Sequence, residues 1–218
     1  MRKDKDKDLL DSLYDAVIAG NVQKARKLAE QTVQKGLSVN VAVEKMKDAM
    51  MVVDEKYERK EYFIVDVASS ATAMREAFKI LEPHLQVESA KIAGKVVIGS
   101  LKGNIQGLGK DIVAATLRAA GLNVVDLGVN VSPETLVKSA VREKAQVIAI
   151  SISIEETVPF LEEVVNLLRR GRLSGKIRTV IGGQAVSEGT RKKYGIDAYA
   201  EDAWDCVKKV QQLLKAAS

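Results

Sequence analysis

A change of hydrophobic period near residue 95 constrains this chain more than any other feature. Upstream, residues 8–82 carry apolar side chains at helical spacing and no strand pattern. Leu9, Leu10, Leu13, Val17 and Ile18 mark a first helix, closed by Gly20-Asn21. Ala25, Leu28, Ala29 and Val33 mark a second over 22–35, which stops at Gly36. A third over 38–57 carries Val41, Val43, Met46, Ala49, Met50 and Val53, with Ser38 or Asn40 as its N-cap. A fourth over 66–81 carries Ala71, Met74, Ala77 and Leu81. Four amphipathic helices with short joints predict a small bundle.

Downstream, short β-branched runs at 96–101, 124–127, 147–152, 179–181 and 198–200 alternate with helical stretches at 108–120, 133–143, 157–170, 189–194 and 203–216. Strands that are apolar almost throughout, separated by helices, predict a parallel sheet covered on both faces. Five such strands fit a doubly wound, flavodoxin-like order. The sequence therefore divides into a helical domain at 1–86, a linker at 87–94 with little periodicity, and an α/β domain at 95–218.

Composition narrows the function classes. The chain has 218 residues, and its formal charge of +5 comes from cations interspersed among nearly as many acids. No stripe of Lys/Arg with aromatics stands out, so nucleic acid is not an expected partner. No apolar run approaches the roughly 20 residues of a membrane span, and the start lacks a signal-peptide core. One cysteine, Cys206, excludes an intrachain disulfide and fits a reducing cytoplasm. It lies in a helical stretch, where packing is the expected role. One histidine, His84, excludes a multi-His metal site and is read as a surface or hinge residue. The opening MRKDKDKD reads as a frayed, solvated start.

Three loops would meet at the carboxyl edge of the sheet, where open α/β sheets bind ligands. The first, after the first strand, is Gly103-Asn104-Ile105-Gln106-Gly107-Leu108-Gly109-Lys110. Its glycines allow a ligand close to the backbone. The second is Ser151-Ile152-Ser153-Ile154-Glu155-Glu156-Thr157, with hydroxyls at alternating positions. The third is Ile181-Gly182-Gly183-Gln184-Ala185. Each is also compatible with ordinary turn and capping chemistry, and only their convergence points to a pocket.

This pattern resembles the corrinoid proteins of methyltransferase systems and the cobalamin-binding region of methionine synthase, over roughly residues 8–215. That family joins a helical cap to a Rossmann-like domain. Its motifs are Asp-x-His-x-x-Gly, Ser-x-Leu after the third strand and Gly-Gly after the fourth. Asp126-Leu127-Gly128-Val129-Asn130-Val131 resembles its second strand end, and Ala198-Tyr199-Ala200-Glu201-Asp202-Ala203-Trp204 its last strand and turn. The segment 55–63 followed by Met74 resembles the end of the cap.

The chain departs from the motif at two linked positions. Asn104 stands at the Asp position and Gln106 at that of the histidine that ligates cobalt, while Gly109 keeps the glycine. Ser151 matches the motif serine, and Ser153 replaces the leucine. Thr157 falls where a hydroxyl partners the Asp, and Gly182 and Gly183 match the pair beside the nucleotide tail. The resemblance thus implies cobalamin contacts at Asn104, Gln106, Gly109, Ser151, Ser153, Thr157, Gly182, Gly183 and Ala203, with Phe63 and Met74 as cap residues near the upper face. Met74 also fits a core position.

Neither Asn104 nor Gln106 titrates near neutrality, so the family's proton relay is missing. A carboxamide oxygen is a weak donor beside imidazole. Gln106 is compatible with direct contact to cobalt at the lower axial position, with a water held against it, or with a hydrogen bond nearby. Weaker axial donation is expected to ease reduction of the cobalt. The resemblance implies a carrier with base-off cobalamin and no histidine ligand, base-on binding being the competing geometry. It would shuttle a methyl group between a substrate:corrinoid methyltransferase and a methylcorrinoid:acceptor methyltransferase, with a reductive activator as a further partner. No general base or zinc site is evident, so the chain reads as a carrier subunit with no catalytic residue of its own. The alternatives are a corrinoid sensor or storage protein, or a member that has lost cobalamin. Against a transcriptional sensor, no DNA-binding segment is expected before residue 8 or after the last helix.

Overall fold

In the computed structural model, which describes residues 2–86, 94–104 and 107–216, the chain forms two compact units, Met1–Gln86 and Val87–Ser218. Unit one holds helices α1 (Arg2–Ile18), α2 (Val22–Gln34), α3 (Val39–Glu58) and α4 (Ile64–Leu81), then a 3-10 turn at Glu82–His84. Ser38 caps α3 by accepting from the Val41 N–H, and Asn21 caps α2 through Lys24. In α4 the Asp66 carboxylate reaches back to the Phe63 N–H at 2.8 Å. This bond draws Ile64 and Val65 into the helix ahead of its expected start at residue 66. Helix α1 likewise extends back to Arg2, where the sequence pattern suggested fraying. Elongating a helix already nucleated by Leu9–Ile18 costs little once its apolar stripe is buried.

The buried stripe of this unit includes Leu13, Val17, Ala25, Ala29, Met46, Ala73, Met74 and Ala77. Small side chains let helices approach closely, and the α1–α2 turn shows why. A Cβ on Gly20, whose φ is +62°, would stand 2.7 Å from the Ser69 Cβ. The freed Ile18 carbonyl at the end of α1 accepts from Ser70 Oγ at 2.9 Å and Tyr62 OH at 3.1 Å. His84 is exposed.

Unit two is built from β1 (Lys95–Ser100), α5 (Leu108–Ala119), β2 (Asn123–Asp126), α6 (Pro133–Arg142), β3 (Val147–Ser151), α7 (Phe160–Arg170), β4 (Arg178–Gly182), α8 (Glu188–Tyr194), β5 (Ala198–Tyr199) and α9 (Ala203–Ala216). The strands form one parallel sheet in the order β2-β1-β3-β4-β5, the doubly wound arrangement expected from the sequence. Alternate side chains feed two cores. Val97, Leu101, Ile148, Ile150 and Ile181 pack with Leu136, Leu161 and Val164 of α6 and α7 on one face. Val96, Ile98, Val147 and Val180 pack with Leu117, Val207 and Val210 of α5 and α9 on the other. The predicted helix over 157–170 is divided, with a 3-10 turn at Glu155–Thr157 and α7 beginning only at Phe160. Val158 and Pro159 both keep helical φ/ψ, but Pro159 has no N–H to donate, so the hydrogen-bond ladder is interrupted between the two.

Cys206 is buried in the α9 core, and burial pushes its thiol from 9.0 up to about 12, with Asp205 and Asp202 adding to the rise. Two outcomes are expected. Alkylation at pH 8 should require unfolding, which is checked by comparing iodoacetamide labelling with and without denaturant. Stability should also fall as pH rises from 9 towards 12, because the unfolded thiol loses its proton first. Among the described residues no helix is long and apolar enough to cross a membrane.

Candidate functional site

The parallel sheet places five strand ends on one rim of unit two. Strand order reverses between β1 and β3, and the loops after these two strands flank that switch point. Backbone contacts run from loop to loop along the rim. The Leu101 N–H donates to the Ser151 carbonyl at 3.3 Å, and the Ile152 N–H donates to the Gly182 carbonyl at 2.9 Å. The Ala200 N–H donates to Ile181 at 2.9 Å.

Asn104, which follows β1, is fully buried. Its N–H donates to the Leu101 carbonyl at 2.9 Å, and its own carbonyl accepts from the Asn130 N–H at 3.0 Å. Ile105 and Gln106 lie outside the described residues, so the predicted cobalt-side role of Gln106 falls there too. Gly109, in the first turn of α5, is exposed, and a Cβ on it would meet nothing within 4 Å. That leaves an uncovered backbone surface beside the loop.

Thr157 is 3% exposed, and its hydroxyl donates to the Ile154 carbonyl at 2.8 Å. Its methyl faces the first loop, since a Cβ on Gly103 would lie 2.9 Å from Thr157 Cγ2. Thr157 therefore brings the β1 and β3 loops together while its hydroxyl serves its own turn. Ser151 and Ser153 are half-buried on the same rim.

The glycine pair after β4 is required by backbone proximity. Gly183 has φ +122°, and a Cβ there would stand 2.2 Å from the Ile152 carbonyl oxygen. A Cβ on Gly182 would stand 3.0 Å from the Ala200 oxygen. A side chain is excluded at Gly183 and crowded at Gly182, leaving bare main chain at 182–183 of the kind a ligand tail can lie against. Ala203 is buried at the start of α9. In unit one Phe63 is 69% exposed, beside exposed Ile64 and Val65, whereas Met74 is 2% exposed on the buried stripe of α4.

The residue that sequence reasoning passed over is Lys110. It is 2% exposed, and its Nζ bonds to Asp126 Oδ2 at 2.5 Å and to Asp111 Oδ1 at 2.7 Å. Asp126 Oδ1 in turn accepts from the Gly128 N–H at 2.8 Å. A cation in the first turn of α5 opposes the helix dipole, and these two carboxylates offset that cost. The available sign was a lysine closing a glycine-rich loop, with an aspartate ending the neighbouring strand.

Further along the rim, Glu134 of α6 and Glu163 of α7 share a hydrogen bond. That bond holds the Glu163 carboxyl above its ordinary range. Glu134 is held below its range by its own N–H first, then by Ser132 and by Glu163. Among the described residues no cluster of three His, Cys, Asp or Glu side chains could hold a metal ion.

Glycine-bared main chain at 182–183, open space over Gly109 and half-buried hydroxyls at 151 and 153 fit a large ligand that brings its own metal. The B12 binding domain family matches residues 94–207, and a second B12 binding domain family matches residues 9–82. Trimethylamine corrinoid protein 1 of Methanosarcina acetivorans is 32% identical over 210 residues, covering 95% of this chain and 97% of that protein. The structure of the Methanosarcina barkeri monomethylamine corrinoid protein is 27% identical with a TM-score of 0.89, covering 95% of this chain and 99% of the other. The methanol:cobalamin methyltransferase complex MtaBC of Methanosarcina barkeri contains a chain 26% identical with a TM-score of 0.54, covering 95% and 80%. With both units matched, and with relatives aligned over nearly their whole length, the chain belongs to the B12-binding corrinoid proteins.

Proposed function

We propose that this chain is the corrinoid carrier of a methyltransferase system, receiving a methyl group from a substrate-specific methyltransferase and yielding it to a second one. The observation that carries the reading is the rim of bared glycines and half-buried hydroxyls on a chain aligned over 95% of its length with a trimethylamine corrinoid protein. When bound, cobalamin supplies a cobalt centre that can accept and release a methyl group. Gly182 and Gly183 would lie along its tail, Ser151 and Ser153 would offer it hydroxyls, and Gly109 would leave room for its edge. Thr157 would keep the β1 and β3 loops in register beneath it.

Asn104 and Gln106 set the chemistry of the lower side. Neither carries a titratable proton, so this loop neither raises the basicity of an axial ligand nor relays a proton to one. Cobalamin would accordingly be held base-off without a histidine ligand, and methyl transfer should show no pH dependence arising from this loop. The methyltransferase in the MtaBC complex supports a partner of that class.

The test begins with hydroxocobalamin titration followed by absorption. Uptake with a base-off spectrum is expected, and absence of uptake would overturn the carrier reading. Electron paramagnetic resonance of the bound cobalt(II) form should then show no axial nitrogen superhyperfine splitting. Asn104→Asp combined with Gln106→His should introduce that splitting. Splitting in the parent would instead mean base-on binding or a protein nitrogen on cobalt.

A further inference from the structure

We infer that Asn130 is a positioning residue that holds Gly103 and Asn104, the residues leading out of β1, in the geometry needed to receive a corrinoid. The inference rests on the carrier reading and concerns a residue in the β2–α6 loop that contributes no ligand of its own.

Residues 128–131 clasp the end of β1 and the residues that follow it up to Asn104, and also meet Gly107. Upstream, the Ser100 N–H donates to the Gly128 carbonyl at 3.0 Å, and the Val131 N–H donates to the Ser100 carbonyl at 2.9 Å. The Lys102 N–H donates to the Val131 carbonyl at 2.8 Å, and the Asn130 N–H donates to the Asn104 carbonyl at 3.0 Å. The Asn130 side chain adds a fifth bond, its Oδ1 accepting from the Gly103 N–H at 2.8 Å. Downstream, a Cβ on Gly107 would meet Val129 Cγ1 at 2.9 Å. Asn104 and Gly107, the nearest described residues on either side of Gln106, are therefore both set against one short segment.

Asn130 suits this task for a backbone reason. Its φ of +56° lies in the left-handed region, which asparagine, aspartate and glycine tolerate and other side chains resist. That conformation turns Oδ1 and the main-chain N–H towards the same loop, so one residue binds both Gly103 and Asn104. Gly103, at φ +91° and with Thr157 Cγ2 filling the place of a side chain, has none with which to hold itself.

Three variants of the full chain test this. Asn130→Gly keeps the backbone conformation and removes the acceptor, so its thermal midpoint should stay close to the parent's. Its Gly103 amide should nevertheless exchange with solvent about tenfold faster, and hydroxocobalamin should bind about tenfold more weakly. Asn130→Asp retains both conformation and acceptor, and should keep exchange and affinity within about threefold of the parent. Asn130→Ala should lose affinity and stability together. Parental exchange and affinity in Asn130→Gly, or failure of Asn130→Asp to the same degree as glycine, would overturn the inference. If the parent takes up no cobalamin, the carrier reading fails while exchange at Gly103 in the unliganded chain still decides the role of Asn130.

Discussion

Replacing Gly183 with alanine is expected to destabilise the sheet unit by about 4 kcal/mol, lowering the thermal midpoint by about 12 °C, and to abolish cobalamin uptake. The size follows from what the new methyl would meet. The Ile152 oxygen, carbon and nitrogen would lie 2.2, 2.7 and 3.0 Å away, all of them main chain in the segment leaving β3. No side-chain rotation relieves such an overlap. The backbone must move, and the φ of +122° adds strain of its own for any L residue. Movement there would also stretch the Ile152–Gly182 and Ala185–Ile152 hydrogen bonds that join the β3 and β4 loops. Gly182→Ala meets only the Ala200 oxygen at 3.0 Å and should cost less, about 1 kcal/mol.

Gly109→Ala separates ligand contact from folding. Its Cβ enters open space in the first turn of a helix, so stability should hold or rise by about 0.5 kcal/mol. If the proposed site is right, cobalamin affinity should nevertheless fall, because the added methyl would occupy space given there to the ligand's edge. Thermal melts and hydroxocobalamin titrations on the three variants check the set. A Gly183→Ala protein that melts within 2 °C of the parent would show that the glycine pair is not held by the Ile152 main chain.

How much of this was legible in the sequence depends on whether a residue acts through its neighbours in sequence or in space. The shift from helical to strand–helix period marks four helices and five strands because burial enforces each period locally, as at Ala73, Met74 and Ala77 on α4 and Val96, Val97 and Ile98 on β1. Ser38 is readable as the α3 cap because its partner lies three residues on. Strand order reads less directly. Adjacency of β1 to both β2 and β3 is a tertiary fact that alternation permits and does not dictate. The break at Pro159 was visible in principle, since proline brings no N–H to a helix ladder.

The glycines of the rim are legible as glycines, and their reasons are not. Gly183 needs Ile152 beside it, and Gly103 needs Thr157, each from a different loop. Asn130 and Lys110 escape a sequence reading for the same cause. Asn130 sits 27 positions from the amide it binds, and Lys110 sits 16 from Asp126. Asn104 was singled out by motif, and burial adds that its backbone anchors the loop as well.

Lys110→Met is expected to cost about 3 kcal/mol and about 8 °C in thermal midpoint, the second large effect. Methionine matches the stem of lysine, so the loss isolates the charge. The Lys110 side chain is 2% exposed and that of Asp126 is 23% exposed, so deleting the ammonium leaves the Asp126 carboxylate beside a buried apolar stem and only partly reached by water. Asp111, at 44% exposure, can turn to solvent, and its share of the loss is small. The ion pair spans two elements, the first turn of α5 and the end of β2. Asp126 is also fixed by the Gly128 N–H, at the start of the segment that clasps the β1 loop. Losing Lys110 should therefore loosen the loop as well as the fold, and hydroxocobalamin affinity should fall with stability. Adding Asp126→Leu to Lys110→Met removes the stranded carboxylate and should recover part of the stability, because an ion pair with one buried partner and an apolar pair of similar volume are close in free energy. It does not restore the Gly128 tie, so affinity should recover less than stability. Melting curves and titrations of the two single variants and the double complete the cycle. Additive losses in the double variant would show that Lys110 and Asp126 act independently, which their 2.5 Å contact contradicts.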